Sequence, residues 1–262
     1  NGETALKMAF VFRSGDGSKE AKDVGGNDIF INLYASNSFN VQFTSPSKGV
    51  IKNVNDAVSV SAVASTKCAL TLYENGIPVS TLANDSVITW NTTATTAGKK
   101  TMIIAATKNA VTKYDTLTYV VYGGTNIATV PAGVKPGINY LNDTTVTLCI
   151  IAPFKNFIYV VGDFTGWYPD PATLMNKDPG GKYFWVTITG LSKGVEYGYQ
   201  YYIDGSLYVA DPFSDKILDP WNDKYIPGSV YPNLKTYPTG KTSGIVSVLQ
   251  TGQTPFNWQY ST

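Results

Sequence analysis

Three runs rich in β-branched and aromatic residues, each stopped by a turn signal, fill residues 158–211 and constrain the fold more than any other stretch. Ile158-Tyr159-Val160-Val161 ends at Gly162-Asp163. Residues 183–188 form a second run, and residues 197–203 a third that stops at Asp204-Gly205. Such side chains suit a pleated, half-buried surface, and Asp-Gly supplies the two positive-φ positions of a tight hairpin. The stretch therefore predicts strands joined by short turns.

The same texture precedes it. Strand-like runs at 39–43, 58–64, 69–73, 86–90, 100–106 and 117–122, with a turn at Glu74-Asn75-Gly76, amount to about seven short strands in roughly ninety residues, the pattern of an immunoglobulin-type sandwich. Trp90 sits within such a run and reads as a core or inter-sheet ring. Ahead of these, residues 6–13 and 28–34 read as a hairpin around a long polar loop that opens Ser14-Gly15-Asp16-Gly17-Ser18. Gly123-Gly124 and the proline-containing stretch to Gly137 read as a linker, with the next strand at 146–152. The expected organisation is a hairpin over 1–34, a sandwich over 35–123 and a second sandwich with a C-terminal tail over 124–262. The fold class is all-β, two tandem immunoglobulin-like sandwiches. After Asp211 the alternation fades, returning in a last strand at 244–250 before Thr254-Pro255-Phe256-Asn257-Trp258. Residue 1 directly precedes a strand-like run, so a trimmed piece of a longer chain is expected.

Composition removes several classes of function. The 262 residues carry 20 Lys+Arg against 19 Asp+Glu, a net charge of +1, so no field draws in nucleic acid or an anionic membrane. No apolar stretch is long enough to span a bilayer as a helix, and no signal peptide is expected among these residues. The chain has no His, which excludes Ser-His-Asp and Cys-His chemistry and any His-based metal site. Asp16, Glu20, Asp23 and Asp28 lack the ligand spacing of an EF-hand loop, so no metal and no cofactor are expected. Cys68 and Cys149, each in an apolar run, are expected as buried free thiols in different domains. Among carboxylates, Asp163, Asp204 and Asp211 each sit beside Gly or Pro, where Asp commonly bonds its own backbone. No alternation of strands and helices suggests a catalytic barrel, and no catalytic residue is assigned.

Gly162-Asp163-Phe164-Thr165-Gly166-Trp167, the run 199–205 and Ala210-Asp211-Pro212, in that order over about fifty residues, resemble the family-48 carbohydrate-binding module. That module is an immunoglobulin-like domain preceding the catalytic barrel of many family-13 glycoside hydrolases acting on α-glucans. The first domain reads like a bacterial immunoglobulin-like spacer. Its preceding hairpin resembles the closing strands of some starch-binding modules, or else completes the next domain. The whole is similar to the N-terminal region of amylase-like enzymes of gut Bacteroidetes.

The resemblance implies candidate α-glucan contacts. The essential Trp of glycogen-binding members corresponds to Trp167, whose other reading is a lid over the sandwich edge or a wedge against an absent barrel. The family's Lys on the strand before Asp204-Gly205 is Gln200 here, and its Trp after that turn is Leu207, with Tyr208 the nearest ring. Trp185 is a further candidate, with a core or inter-domain role as its other reading. Trp221 and Trp258 are expected to pack on an absent catalytic domain and so to leave an apolar patch exposed. The implied partners are an α-glucan and a catalytic domain of the same polypeptide, and the implied location is extracytoplasmic. Two alternatives stay open: a stand-alone cell-surface starch-binding protein, and a structural adhesin-like tandem.

Overall fold

The computed structural model describes residues 7–21, 29–32 and 38–254. The chain divides into two compact units that meet in sequence between Gly123 and Gly124. All the regular structure described is strand, apart from single 3-10 turns.

At the N-terminus, β1 (Lys7–Phe10) pairs with a later strand, while β2 (Phe12–Arg13) and β3 (Glu20–Ala21) close the Ser14–Ser18 loop between them. The partner of β1 is β4 (Ile29–Asn32), antiparallel, as the expected hairpin requires. Residues 22–28 and 33–37 lie outside the described residues. In the loop, Asp16 accepts hydrogen bonds from Ser14 and from the backbone and hydroxyl of Ser18. Those contacts, led by Ser14, hold its carboxyl near 2.

The rest of the first unit is built from β5 (Val41–Ser45), β6 (Ile51–Asn53), β7 (Ala57–Glu74), β8 (Ile77–Thr93), β9 (Gly98–Lys108) and β10 (Val111–Tyr122). The strands differ from the expected set of about seven short ones. Residues 58–64 and 69–73 belong to one strand of 18 residues, and residue 86–90 lie in one of 17. A straight strand of that length would run about 60 Å, too long for so small a core. Pairing between β7 and β8 shifts register between Val63 and Cys68 and again before Leu70, so the hairpin bends from one layer into the other. The first half of β7 pairs with β5 and the second half with β9. Between the layers lie Val58, Val60, Leu70, Leu72, Ile104 and Leu117, with Trp90 packed at the margin of this core as expected. Cys68 is among the buried residues and is a free thiol.

The second unit has two facing sheets. One contains β11 (Gly137–Asn142) and β12 (Thr145–Ile151), then β15 and β14 beyond them; the other contains β13 (Ile158–Gly162) and the strands that follow from residue 196. In chain order these are β14 (Asn176–Lys177), β15 (Tyr183–Ile188), β16 (Glu196–Ile203), β17 (Leu207–Val209), β18 (Lys216–Leu218) and β19 (Val246–Gln250). The three runs that open the sequence analysis are thus β13, β15 and β16. Asp204 and Gly205 take φ of 49° and 70° and turn the chain from β16 to β17. β11 was not expected from the sequence, because Asn139 and Asn142 interrupt its apolar character. Leu148, Ile150, Ile158, Val160, Phe184 and Tyr201 are among the side chains filling the space between the sheets.

The Gly-rich and Pro-rich stretch read as a linker is a strap. Ala128 N donates to Lys177 O and Lys177 N to Asn126 O, each at 2.9 Å, and the Trp185 indole donates to Ala128 O at 3.1 Å. The strap covers the outer side of its sheet, with Val130, Pro131 and Val134 lining a space over Cys149 and Tyr183. Cys149 is a free buried thiol, as expected, and burial, aided by the charges of Asp211 and Asp178, pushes it up to about 11.

Candidate functional site

The turn after β13 is dictated by glycine. A Cβ at Gly162 would stand 2.3 Å from Gly198 O, and one at Gly198 would press on the Trp167 ring at 3.2 Å. The close approach lets Trp167 fold back across β16. Its backbone N–H donates to Gly162 O at 2.9 Å, and its φ is 70°, a left-handed conformation costly for a bulky side chain.

Burial compensates. Trp167 is 3% exposed and packs with Leu218, Val246, Val248, Leu234 and Tyr237. Its indole donates to Asp163 Oδ1 at 3.0 Å, while Asp163 Oδ2 accepts from Gly198 N at 2.8 Å and from Lys235 Nζ at 3.0 Å. Burial raises the Asp163 carboxyl pKa, but the Gly198 amide, the Lys235 ammonium and the indole outweigh it and leave it lowered. A carboxylate with three donors binds a loop to a sheet and has little capacity left for substrate.

The implied α-glucan contacts are corrected for Trp167 and Gln200, both of which are buried. Gln200 is 1% exposed, and its amide donates to Ser243 O and Ile245 O at 2.8 and 2.7 Å. Those two bonds tie β16 to the entry of β19. Neither Trp167 nor Gln200 presents a face to a pyranose. Tyr208 is half-buried and stacks on Tyr202, with ring centroids 4.4 Å apart. Trp185 lies on the opposite sheet under the strap. The four candidates do not converge.

The other two turn carboxylates bond partners distant in sequence, and Asp211 its own turn as well. Asp204 caps the turn at Asn156 and Phe157 through their backbone N–H groups. Asp211, 3% exposed, accepts from the hydroxyls of Tyr199 and Tyr201 at 2.8 and 2.9 Å and from Phe213 N. Burial first, then the neighbouring Asp211, pushes the Tyr199 hydroxyl well above its ordinary range, so it remains a donor.

A different segment gathers exposed apolar side chains. Residues 219–239 leave the sandwich and return, fixed at several points. Asp219 accepts from the N–H groups of Trp221 and Asn222 at 2.8 and 3.1 Å. Lys216 binds Glu196 at 2.6 Å and the Tyr231 hydroxyl at 2.8 Å. Leu234 and Tyr237 enter the cluster under Trp167, where burial pushes the Tyr237 hydroxyl up to about 12. The segment carries Trp221, 59% exposed, and Tyr225, 74% exposed, with Ile226, Val230 and Tyr231 also exposed. Trp221 matches the expected exposed patch, whereas Trp258 lies outside the described residues. The other four were not singled out from sequence. Their signal was a density of aromatic and apolar residues over 221–231 without strand alternation.

No family model matches the chain, and no curated protein matches it. Among solved structures, it is similar to the apo β-glucuronidase 3 of Bacteroides uniformis at 8% identity and TM-score 0.28, covering 66% of this chain and 25% of that one. The chain thus spans about a quarter of that enzyme's length. It is also similar to a chimeric titin Z1Z2 tandem at 13% identity and TM-score 0.26, covering 64% of this chain and 94% of that one. A third similarity is to the fibronectin(III)-like modules of Clostridium thermocellum CbhA, at 16% identity and TM-score 0.27, with 32% and 96% covered.

Among the described residues, no helix is long and apolar enough to cross a membrane.

Proposed function

We propose that this chain is the non-catalytic front end of an α-glucan-degrading glycoside hydrolase, with the second sandwich holding a catalytic domain in place. The observation that carries this reading is the exposed surface of Trp221, Tyr225, Ile226, Val230 and Tyr231 on a segment pinned to a rigid sandwich. Exposed aromatic and aliphatic residues grouped on one short segment mark an interaction surface. Fixing that segment through Asp219, Lys216 and Lys235 removes much of the ordering cost of docking. The order of GDFTGW, YIDG and ADP supports a family-48-type module, and with it a family-13 partner and an extracytoplasmic setting. The first sandwich serves as a spacer.

The test joins the chain to its natural C-terminal continuation. The joined polypeptide is expected to hydrolyse starch, glycogen or pullulan. Trp221→Ser with Tyr225→Ser should lower both its activity and its melting temperature while leaving the isolated chain's melting unchanged. Absence of activity on all three glucans would overturn the reading.

A further inference from the structure

The 219–225 turn that carries part of this surface also borders a cavity of about 440 Å³, within the second unit. That volume lies in the range of small-ligand sites, roughly 300–1,000 Å³. Pro220, Leu234 and Tyr237 supply apolar wall. Thr236, Thr239 and Lys224 supply hydroxyl and ammonium groups, and Asp223 a carboxylate. Two lysines and two aspartates line the cavity, so its formal charge cancels and no surplus field selects an ion.

Two of these charged groups are already committed: Asp219 closes its own turn, and Lys235 pairs with Asp163. Asp223 Oδ2 accepts from Asp219 N, which leaves the carboxylate lone pairs for a further donor. Donors and acceptors beside an apolar wall match a molecule with vicinal hydroxyls on one side and C–H groups on the other.

We infer that this cavity binds one or two units of a neutral polysaccharide, at a position distinct from the Trp167 motif. The choice of an α-glucan probe rests on the function proposed above; the cavity's chemistry does not.

The experiment titrates maltoheptaose into the 262-residue chain by calorimetry. Thr236→Trp fills the cavity and Lys224→Ala removes a donor. Both positions are exposed, and unchanged melting checks that the fold persists. Saturable binding is expected, weakened roughly tenfold or more by Thr236→Trp, which corresponds to about 1.4 kcal/mol. Lys224→Ala should weaken it less, and Trp221→Ala should leave it in place. The inference is overturned by any of three results: no saturable heat, binding unmoved by Thr236→Trp, or loss with Trp221→Ala alone. It is overturned equally if glucose 6-phosphate binds the isolated chain more tightly than maltoheptaose. Failure of the docking function would instead appear in the activity of the joined polypeptide, which this titration does not read.

Discussion

The two sandwiches use the same kind of strand but hide different faces. Along β7, Val58, Val60, Ala62 and Ala64 are buried while Ala57, Ser59, Ser65 and Lys67 are exposed. That alternation is what one packed face and one wet face require. In the second unit, every residue of β13 is buried, and β16 is buried from Gly198 to Ile203. Antiparallel sheets bury both faces only when something covers the outer ones. Here the strap over Trp185 covers one sheet, and Trp167 with residues 218–237 covers part of the other. A two-layer body suffices to separate neighbours in a chain. A body with covering layers can also present a chosen surface at a fixed angle, which is what the proposed docking would ask of it.

The sharpest way to break that contrast is Trp167→Ala. Truncating a buried Trp typically costs about 3–5 kcal/mol, so the second unit's melting transition should fall steeply while the first unit's stays put. Calorimetry with two resolved transitions reads both. If Trp167 were instead a sugar platform, stability would barely move and glucan binding would vanish.

Asp211→Ala comes next. Two buried tyrosine hydroxyls would lose their acceptor, at a cost of about 1–3 kcal/mol for each unsatisfied group. Asp211→Asn keeps an acceptor oxygen and should recover part of the loss, a difference that urea unfolding followed by tyrosine fluorescence resolves.

Acid sharpens the contrast further, with smaller amplitude. Asp163 has a folded pKa below its unfolded value, so its contribution is fully present above the unfolded value, about 3.9. It is lost as pH falls through the lowered folded value. The second unit should therefore lose stability on acidification below about pH 4, and Asp163→Asn should flatten that part of its profile.

How much of this was legible follows from period and length. Strands β13, β15 and β16 and the Asp204-Gly205 turn were plain because β-branched and aromatic runs ended at residues with one conformational use. The continuity of β7 was not, since Ser65-Thr66-Lys67 interrupts the apolar period and reads as a break between two strands, and only the pairing with β8 records one bent strand. The positions of Trp167 and Gln200 could not be read either. A Trp on a glycine-flanked turn fits a sugar platform and a lid equally well. What decides is whether residues 40 or more positions downstream return to cover it, and no local pattern encodes that. The strap was missed for the same reason: Gly and Pro signal a chain that is not helix or strand, but not whether it lies on a sheet.

The mildest prediction concerns the first unit alone. Asn109 and Ala110 link β9 to β10 with φ of 49° and 63°. Two positive values in succession suit the two-residue hairpin turn that matches strand twist, and Gly is the favoured second residue. The equivalent turn between β7 and β8 obeys this rule with Asn75-Gly76, at φ 48° and 84°. Ala110 carries a Cβ in a region where it crowds the following carbonyl, a strain of roughly 1 kcal/mol. Gly also gains more freedom in the unfolded chain, which offsets part of the benefit. Ala110→Gly should accordingly stabilise the first unit by about 0.5 kcal/mol and leave the second unit's transition unmoved. A shift in both transitions would mean that the two sandwiches unfold as one body, and the proposed division into spacer and presenting module would lose its thermodynamic basis.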